Sequence, residues 1–498
     1  MNHWSEWGAQ LGAALPSAKA LGYWLAAGWS ALIIVQTLYV IMQRRSPVAT
    51  LGWIIALNLL PVVGLIGYRI FGPMRVRRQQ LKRERGIAAL SSHKERLALR
   101  EEHPHPPLWA VQHSRLIEQA CGIPMSSART VTLLRDGVAT LASMLQAVAA
   151  ARKHIHLEYY IFEPDQVGTP LRDALIAKLK DGAQVRLLVD AMGSPKMAGR
   201  FGRTFLKEYL ALGGEFAVFH PTRLAALRPV LNLRTHRKIL ICDGVVGFTG
   251  GINITETENE ALRADAYRDT HLRLDGAAVR WLQLVFLEDW AYAHSNGKAA
   301  GPAHLKLAAD LIVQTEPGPT AVQIVASGPD TNGEAIHRAV IDALHSARHR
   351  VWITTPYFVP TEGALYALTA AALRGVDVKL LVPRRSDSRL VTAAAQSYFE
   401  ELQAAGVKVF EYQARMLHSK TLLIDDQYGQ VGTANFDHRS FRLNFEVAVA
   451  LFDAGINAQL AADFEHDLRH SSVVARQSRL PWPERFMQAV ARLFSPIL

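Results

Sequence analysis

Two stretches decide the fold: HRKILICDGVVGFTGGIN at His236–Asn253 and HSKTLLIDDQYGQVGTAN at His418–Asn435. Each reads His-x-Lys, four residues, Asp, six residues, Gly-Gly or Gly-Thr, one residue and Asn, so His and Asn are 17 positions apart in both. Working outward, the flanks repeat as well. Ala151–Phe162 matches Ala347–Phe358, Gly182–Val189 matches Gly375–Val382, and Gly214–Phe219 pairs with Gly406–Phe410. Helical stretches, Leu171–Lys180 and Ala364–Arg374, precede the second of these matches. The same order of strands and helix twice over is α/β architecture, duplicated and fused. The first copy carries about ten extra residues within Thr222–Thr235, read as a loop at the mouth of a site.

A fused duplication brings equivalent segments together about a pseudo-twofold axis. The two histidine strands are therefore candidates for one shared site. Side chains alternate along a strand. His236 and Lys238 then share a face, as do His418 and Lys420, while Asp243 and Asp425 point the other way. Parity makes the two aspartates structural, at the strand ends. The glycine turns permit close backbone approach, and Asn253 and Asn435 supply amide donors. Two His, two Lys and two Asn make a cationic, donor-rich pocket suited to a phosphate. One imidazole can attack phosphorus while the other protonates the leaving oxygen. Each needs a partner on its other nitrogen, and one acid lies downstream in each copy: Asp269 in YRDTH and Glu446 in NFEVA.

The paired motif resembles the signature of the phospholipase D superfamily. The phrases at Ser46–Gly72, GFTGGIN, YRDTHLR and VGTANFDHRS resemble bacterial cardiolipin synthases, over nearly the whole chain. The resemblance implies two phospholipase D-like repeats forming a pseudo-twofold catalytic unit. It implies transfer of a phosphatidyl group between two phosphatidylglycerol molecules, giving cardiolipin and glycerol through a phosphohistidine. It counts Asp243 and Asp425, with the His and Lys pairs, in the catalytic motif, makes His236 the nucleophile and His418 the acid/base, and calls for no metal or other cofactor. No Walker loop and no carboxylate-rich metal cluster is legible.

The N-terminal region is of another kind. Leu21–Met42 is 22 residues without a charge, long enough to cross about 30 Å of hydrocarbon. Val48–Tyr68 is a second uncharged stretch, so the expectation is a two-helix transmembrane hairpin. Arg44 and Arg45 lie between the segments; Arg69, Arg75, Arg77, Arg78, Lys82, Arg83 and Arg85 follow the second. The heavier positive side belongs in the cytoplasm. That makes the chain a multi-pass membrane protein with its catalytic unit inside, and the resemblance implies that the membrane is the bacterial inner one. His103 and His105, in a proline-rich linker, read as solvated.

Lys and Arg exceed Asp and Glu by 11 over 498 residues, which favours an anionic partner. The expected partners are phosphatidylglycerol, other anionic phospholipids and the membrane, with no nucleic acid; oligomeric state is not legible. Two cysteines, Cys121 and Cys242, exclude a disulfide framework and a Cys-based zinc site. The expected divisions are a hairpin (1–72), a basic stalk and linker (73–110), repeats at 111–312 and 313–480, and an amphipathic tail (481–498). The tail suits a membrane surface and a packing role equally. Tyr160 and Tyr357, in repeated phrases, read as core residues, with the wall of the site as the alternative. A phospholipase D-type hydrolase, a superfamily nuclease or a non-catalytic scaffold are the rival readings.

Overall fold

The computed structural model describes residues 18–43, 47–60, 63–64, 67–68, 108–219, 233–294, 311, 313, 315–329, 334–476 and 481–497. The basic stretch after the hairpin, the linker with His103 and His105, Arg44 and Arg45, and residues 220–232 of the loop before His236 lie outside the described residues.

The chain divides into two compact units, one built on residues 1–75 and the other holding both repeats. In the first, the helix Ala18–Ile41 contains a 20-residue apolar span, Gly22–Ile41, of mean hydropathy 1.7. At about 1.5 Å per residue it covers the hydrocarbon thickness. The second helix, Pro47–Leu59, has only 13 residues. It ends two residues before Pro61, whose ring disfavours helical geometry in the residue ahead of it. Among the described residues, one helix is thus long enough to span a bilayer. The Trp53 and Tyr68 rings meet edge to face at 5.1 Å.

The second unit is built on two sheets with matching strand order. One runs Thr130–Arg135, Thr270–Asp275, Val246–Gly250, Lys238–Cys242, His154–Tyr159, Gln184–Asp190, Glu215–Phe219. The other runs Thr320–Ser327, Glu446–Leu451, Tyr428–Gly432, Thr421–Ile424, Arg350–Thr354, Asp377–Pro383, Lys408–Tyr412, with a short extra strand at each edge. Each motif strand is central. It pairs antiparallel with both its neighbours, and parallel pairing begins one strand further out.

Side-chain alternation assigns the layers. Ile239 and Ile241 enter a core shared with Ile324, Val447 and Val449 of the second repeat; Leu240 and Cys242 enter the outer core of the first. Helices Val279–His294 and Ala454–Leu468 pack in the shared middle layer, and each touches strands of both sheets. The middle is therefore apolar on both sides, which welds the repeats together.

The helix Leu108–Cys121 departs from the expected division. The sequence reading places most of it in the first repeat, but Ile117 packs in the outer core of the second, with Trp109, Leu116 and Ala120 against it. The Gln323 amide donates to the carbonyls of Ser114 and Ile123, and Ser126–Ala128 pairs with Thr320–Val322 at the edge of the second sheet.

Candidate active site

Each histidine sits just ahead of its motif strand, in a segment that pairs with the other repeat. The His236 N–H donates to the Phe445 carbonyl (2.9 Å), and the His418 N–H donates to the Arg268 carbonyl (2.7 Å). Thr235 bridges Phe445 and Leu417 bridges Arg268, both parallel. This pairing lays each histidine beside the acid that follows its partner segment. His236 Nδ1 lies 3.0 and 3.1 Å from the Glu446 oxygens. His418 Nδ1 lies 2.6 Å from Asp269 Oδ2. Both acids come from the repeat opposite their histidine. A carboxylate can only accept here, so Nδ1 carries the proton and Nε2 keeps its lone pair.

Burial dominates the electrostatics. It lowers His236 despite Glu446, and it holds His418 down at about 4, helped by the Lys420 ammonium and opposed by Asp269. Burial alone would raise Glu446, but His236, Lys238 and Thr433 outweigh it and hold it at about 2. Asp269 is lowered too: burial again acts upward, and Lys420 and His418 overcome it. At pH 7 the two imidazoles are therefore neutral, and Glu446 and Asp269 ionised.

The lysines are placed deeper than the sequence reading has them. Lys238 and Lys420 are buried, and each ammonium donates to the carbonyl of the histidine two residues before it. Burial and then repulsion by Lys420 push Lys238 down to about 7. Neither lysine lines the cleft, so their charge acts on it through buried surroundings of low dielectric.

Asp243 and Asp425 are not brought to this site, which corrects their inclusion with the catalytic groups. Each lies beyond the opposite end of its strand with φ of 54° and 51°. Asp243 accepts the N–H groups of Arg152, Lys153 and His154 (2.7–2.9 Å). Asp425 does the same for Arg348, His349 and Arg350 (2.8–3.1 Å). Each caps the neighbouring strand at its start, as parity indicates, and the strand keeps it roughly 20 Å from its histidine at about 3.3 Å per residue.

Asn253 and Asn435 line the cleft with His236 and His418. The cleft has a volume of about 810 Å³. Tyr160, Tyr267 and Tyr357 line it as well, so Tyr160 and Tyr357 belong to the wall rather than the core. Sequence reasoning missed Glu258. It is buried, accepts from Asn253 Nδ2 at 2.6 Å and lies 4.0 Å from His418 Nδ1. Burial, reinforced by Asp269, raises it to about 8, so it holds a proton at neutral pH. The available signal was its place five residues after Asn253. The same offset from Asn435 gives Ser440, whose hydroxyl accepts the Asn435 N–H at 3.1 Å.

The sequence shows no metal cluster, yet donor atoms of Glu258, Asp269 and His418 gather within 4.8 Å of one another. They do not fit a cation. Asp269 Oδ2 is committed to His418 Nδ1, Glu258 Oε1 to Asn253, and the Lys420 ammonium stands 3.8 Å from Asp269.

Comparison with known proteins decides the family. Residues 144–290 and 340–468 match the family described as cardiolipin synthase, phospholipase D-like domain, and 29–73 match the phospholipase D-nuclease N-terminal family. A cardiolipin synthase of Halalkalibacterium halodurans is 37% identical over 496 residues, covering 95% of each chain. One of Geobacillus kaustophilus is 38% identical over 94% of this chain and 93% of that one. The chain belongs to the cardiolipin synthase family. Cardiolipin synthases act on phospholipids in association with the membrane, and the polar cleft and the apolar N-terminal helix accord with that. The same fold occurs in a solved phosphatidylserine synthase of Haemophilus influenzae, 15% identical, with a TM-score of 0.59 over 78% of this chain and all of that one.

Proposed function

We propose that this enzyme joins two phosphatidylglycerol molecules into cardiolipin, releasing glycerol, through a phosphohistidine. The observation that carries this reading is the crossed pairing of His236 with Glu446 and of His418 with Asp269. It supplies two imidazoles with free Nε2 atoms on one cleft. In the first step His236 Nε2 attacks the phosphorus of one lipid. The bond to the headgroup glycerol breaks, and His418 gives that oxygen a proton. In the second step His418 Nε2 takes the proton from a headgroup hydroxyl of the other lipid. The hydroxyl oxygen bonds to phosphorus and His236 departs. A diester replaces a diester, so no energy source is needed.

The phosphate's charge sets the order of events. Burial and the lysines keep His418 neutral at pH 7. A bound phosphodiester opposes the lysine ammoniums and favours the imidazolium, so the acid forms with the substrate. Asn253 and Asn435 hold the phosphate oxygens. The two uncharged stretches, Leu21–Met42 and Val48–Tyr68, support a chain that crosses the bacterial inner membrane twice. Its catalytic unit faces the cytoplasm, as the arginines after the second segment direct.

The test uses the full chain in phosphatidylglycerol liposomes, with products read by mass spectrometry. Cardiolipin and glycerol, absent with His236→Ala, are the expected result. Phosphatidic acid as the main product would make water the acceptor and refute the transfer. His418→Ala at full turnover would refute the division of roles.

A further inference from the structure

The C-terminal helix Trp482–Leu493 is turned inside out. A surface helix of a globular unit directs its apolar stripe to the core. This one directs it away. Trp482, Phe486 and Leu493 fall along one face at helical spacing, with Met487 and Phe494 beside them, and all five are exposed, Trp482 at 73% and Leu493 at 78%. The Trp482 and Phe486 rings stack on each other at 5.3 Å. The inward side is small or polar. Ala491 is buried against the second repeat, the Ser495 hydroxyl lies 3.0 Å from the Tyr398 hydroxyl, and Arg492 pairs with Glu401 at 3.2 Å. The helix is held through Ala491 and polar contacts, which leaves its large apolar side chains outward.

Its position ties this face to the cleft. The helix packs on Arg389–Gln396, and Val391 of that helix lines the cleft wall. Leu390, next to Val391, is exposed as well. Arg485, also exposed, flanks the apolar stripe. A cleft of about 810 Å³ lined with His, Asn, Tyr and acidic groups takes headgroups. The acyl chains of two reacting lipids must stay in the bilayer, so the mouth of the cleft has to meet its surface.

We propose that the outward face of the helix Trp482–Leu493 seats on an anionic bilayer and sets the mouth of the cleft at headgroup depth. This rests on lipids being the substrate. An interfacial helix of this kind buries an apolar stripe among the upper acyl segments while basic side chains meet anionic headgroups.

The test uses the full chain in phosphatidylglycerol vesicles. With Cys121→Ser, and Cys242 buried, Phe486→Cys takes an environment-sensitive fluorophore. Gln427→Cys, exposed in the turn at the far end of the motif strand, is the control. Brominated lipid should quench the label at 486 at least about twofold and leave that at 427 unchanged. Absence of quenching at 486 overturns the proposal. So does a spectral shift at 486 that follows protein concentration without lipid, which marks a second copy as the occupant. A second variant, Trp482→Gln/Phe486→Gln/Leu493→Gln, should lower turnover of bilayer lipid about tenfold and leave hydrolysis of soluble bis(p-nitrophenyl) phosphate unchanged. An equal fall in both would mean a structural role and overturn it. Quenching at 486 in an enzyme that forms no cardiolipin would refute the transfer reaction and leave the bilayer seat standing.

Discussion

Gly251→Ala should disable the acid/base histidine without touching it. A methyl group built on Gly251 meets Asp269 Cγ and Oδ2 at 2.5 Å and Oδ1 closer still, whereas ordinary contact begins at 3.4 Å. The carboxylate must retreat by about 1 Å. Its 2.6 Å bond to His418 Nδ1 then stretches to about 3.5 Å, beyond hydrogen-bonding distance. A hydrogen bond to a charged group contributes about 1.5–3 kcal/mol. At about 1.4 kcal/mol per decade, the transfer rate should fall about 10- to 100-fold. The equivalent position in the second repeat shows that the argument is local. There Thr433 fits, and its hydroxyl donates to Glu446 Oε2 at 2.5 Å. Thr433→Gly removes that bond but leaves Glu446 paired with His236 and Asn444, so it should cost about tenfold, the lower end of the same range. The assay compares cardiolipin formation with cleavage of bis(p-nitrophenyl) phosphate, whose leaving group departs without a proton. Gly251→Ala should lose the first and keep most of the second. Wild-type cardiolipin formation, or equal loss of both activities at an unchanged melting temperature, would refute the reasoning.

Lys238, pushed down to about 7 by burial and by Lys420, loses its charge as pH rises, while a bound phosphate favours the charged form. KM for phosphatidylglycerol should therefore climb by up to about tenfold per pH unit above 7, with kcat less affected; a flat KM from pH 7 to 9 would contradict this. Asp243→Ala removes an acceptor for three backbone N–H groups at a left-handed φ of 54°. It should lower stability by about 1–3 kcal/mol in thermal unfolding and leave turnover per folded molecule intact. Glu258→Gln can still accept from Asn253 but cannot titrate, so any inflection of kcat/KM near pH 8 should vanish; Glu258→Ala releases Asn253 and should also raise KM. An inflection near pH 8 that survives in Glu258→Gln would assign it elsewhere, whereas the Lys238 titration near 7 persists in that variant.

The duplication was legible because both copies keep His, Lys, Asp, Gly and Asn at one spacing, and parity alone was enough to move Asp243 and Asp425 out of the site. The two acids were legible as residues but not as pairs. Asp269 and Glu446 stand at comparable distances after their own histidines, so nothing linear says that each serves the other one. That follows from backbone pairing of Arg268 with Leu417 and of Thr235 with Phe445, contacts between the repeats. Glu258 was hidden because its counterpart is Ser440, and attention to identity between copies passes over positions where they differ. The helix Leu108–Cys121 was assigned by chain order, but its apolar face fits the second repeat.

The exchange of acids between repeats has a consequence for how such a site can change over time. Two identical subunits meeting on a true twofold axis would present one environment twice, and any substitution near one histidine would appear beside both. Joining the copies in one chain removes that constraint. Asp269 stands opposite Glu446, Gly251 opposite Thr433 and Glu258 opposite Ser440, so each imidazole has a setting that can drift by itself. Fusion lets one ancestral histidine become two specialists, while the crossed acids ensure that neither half can ever be lost.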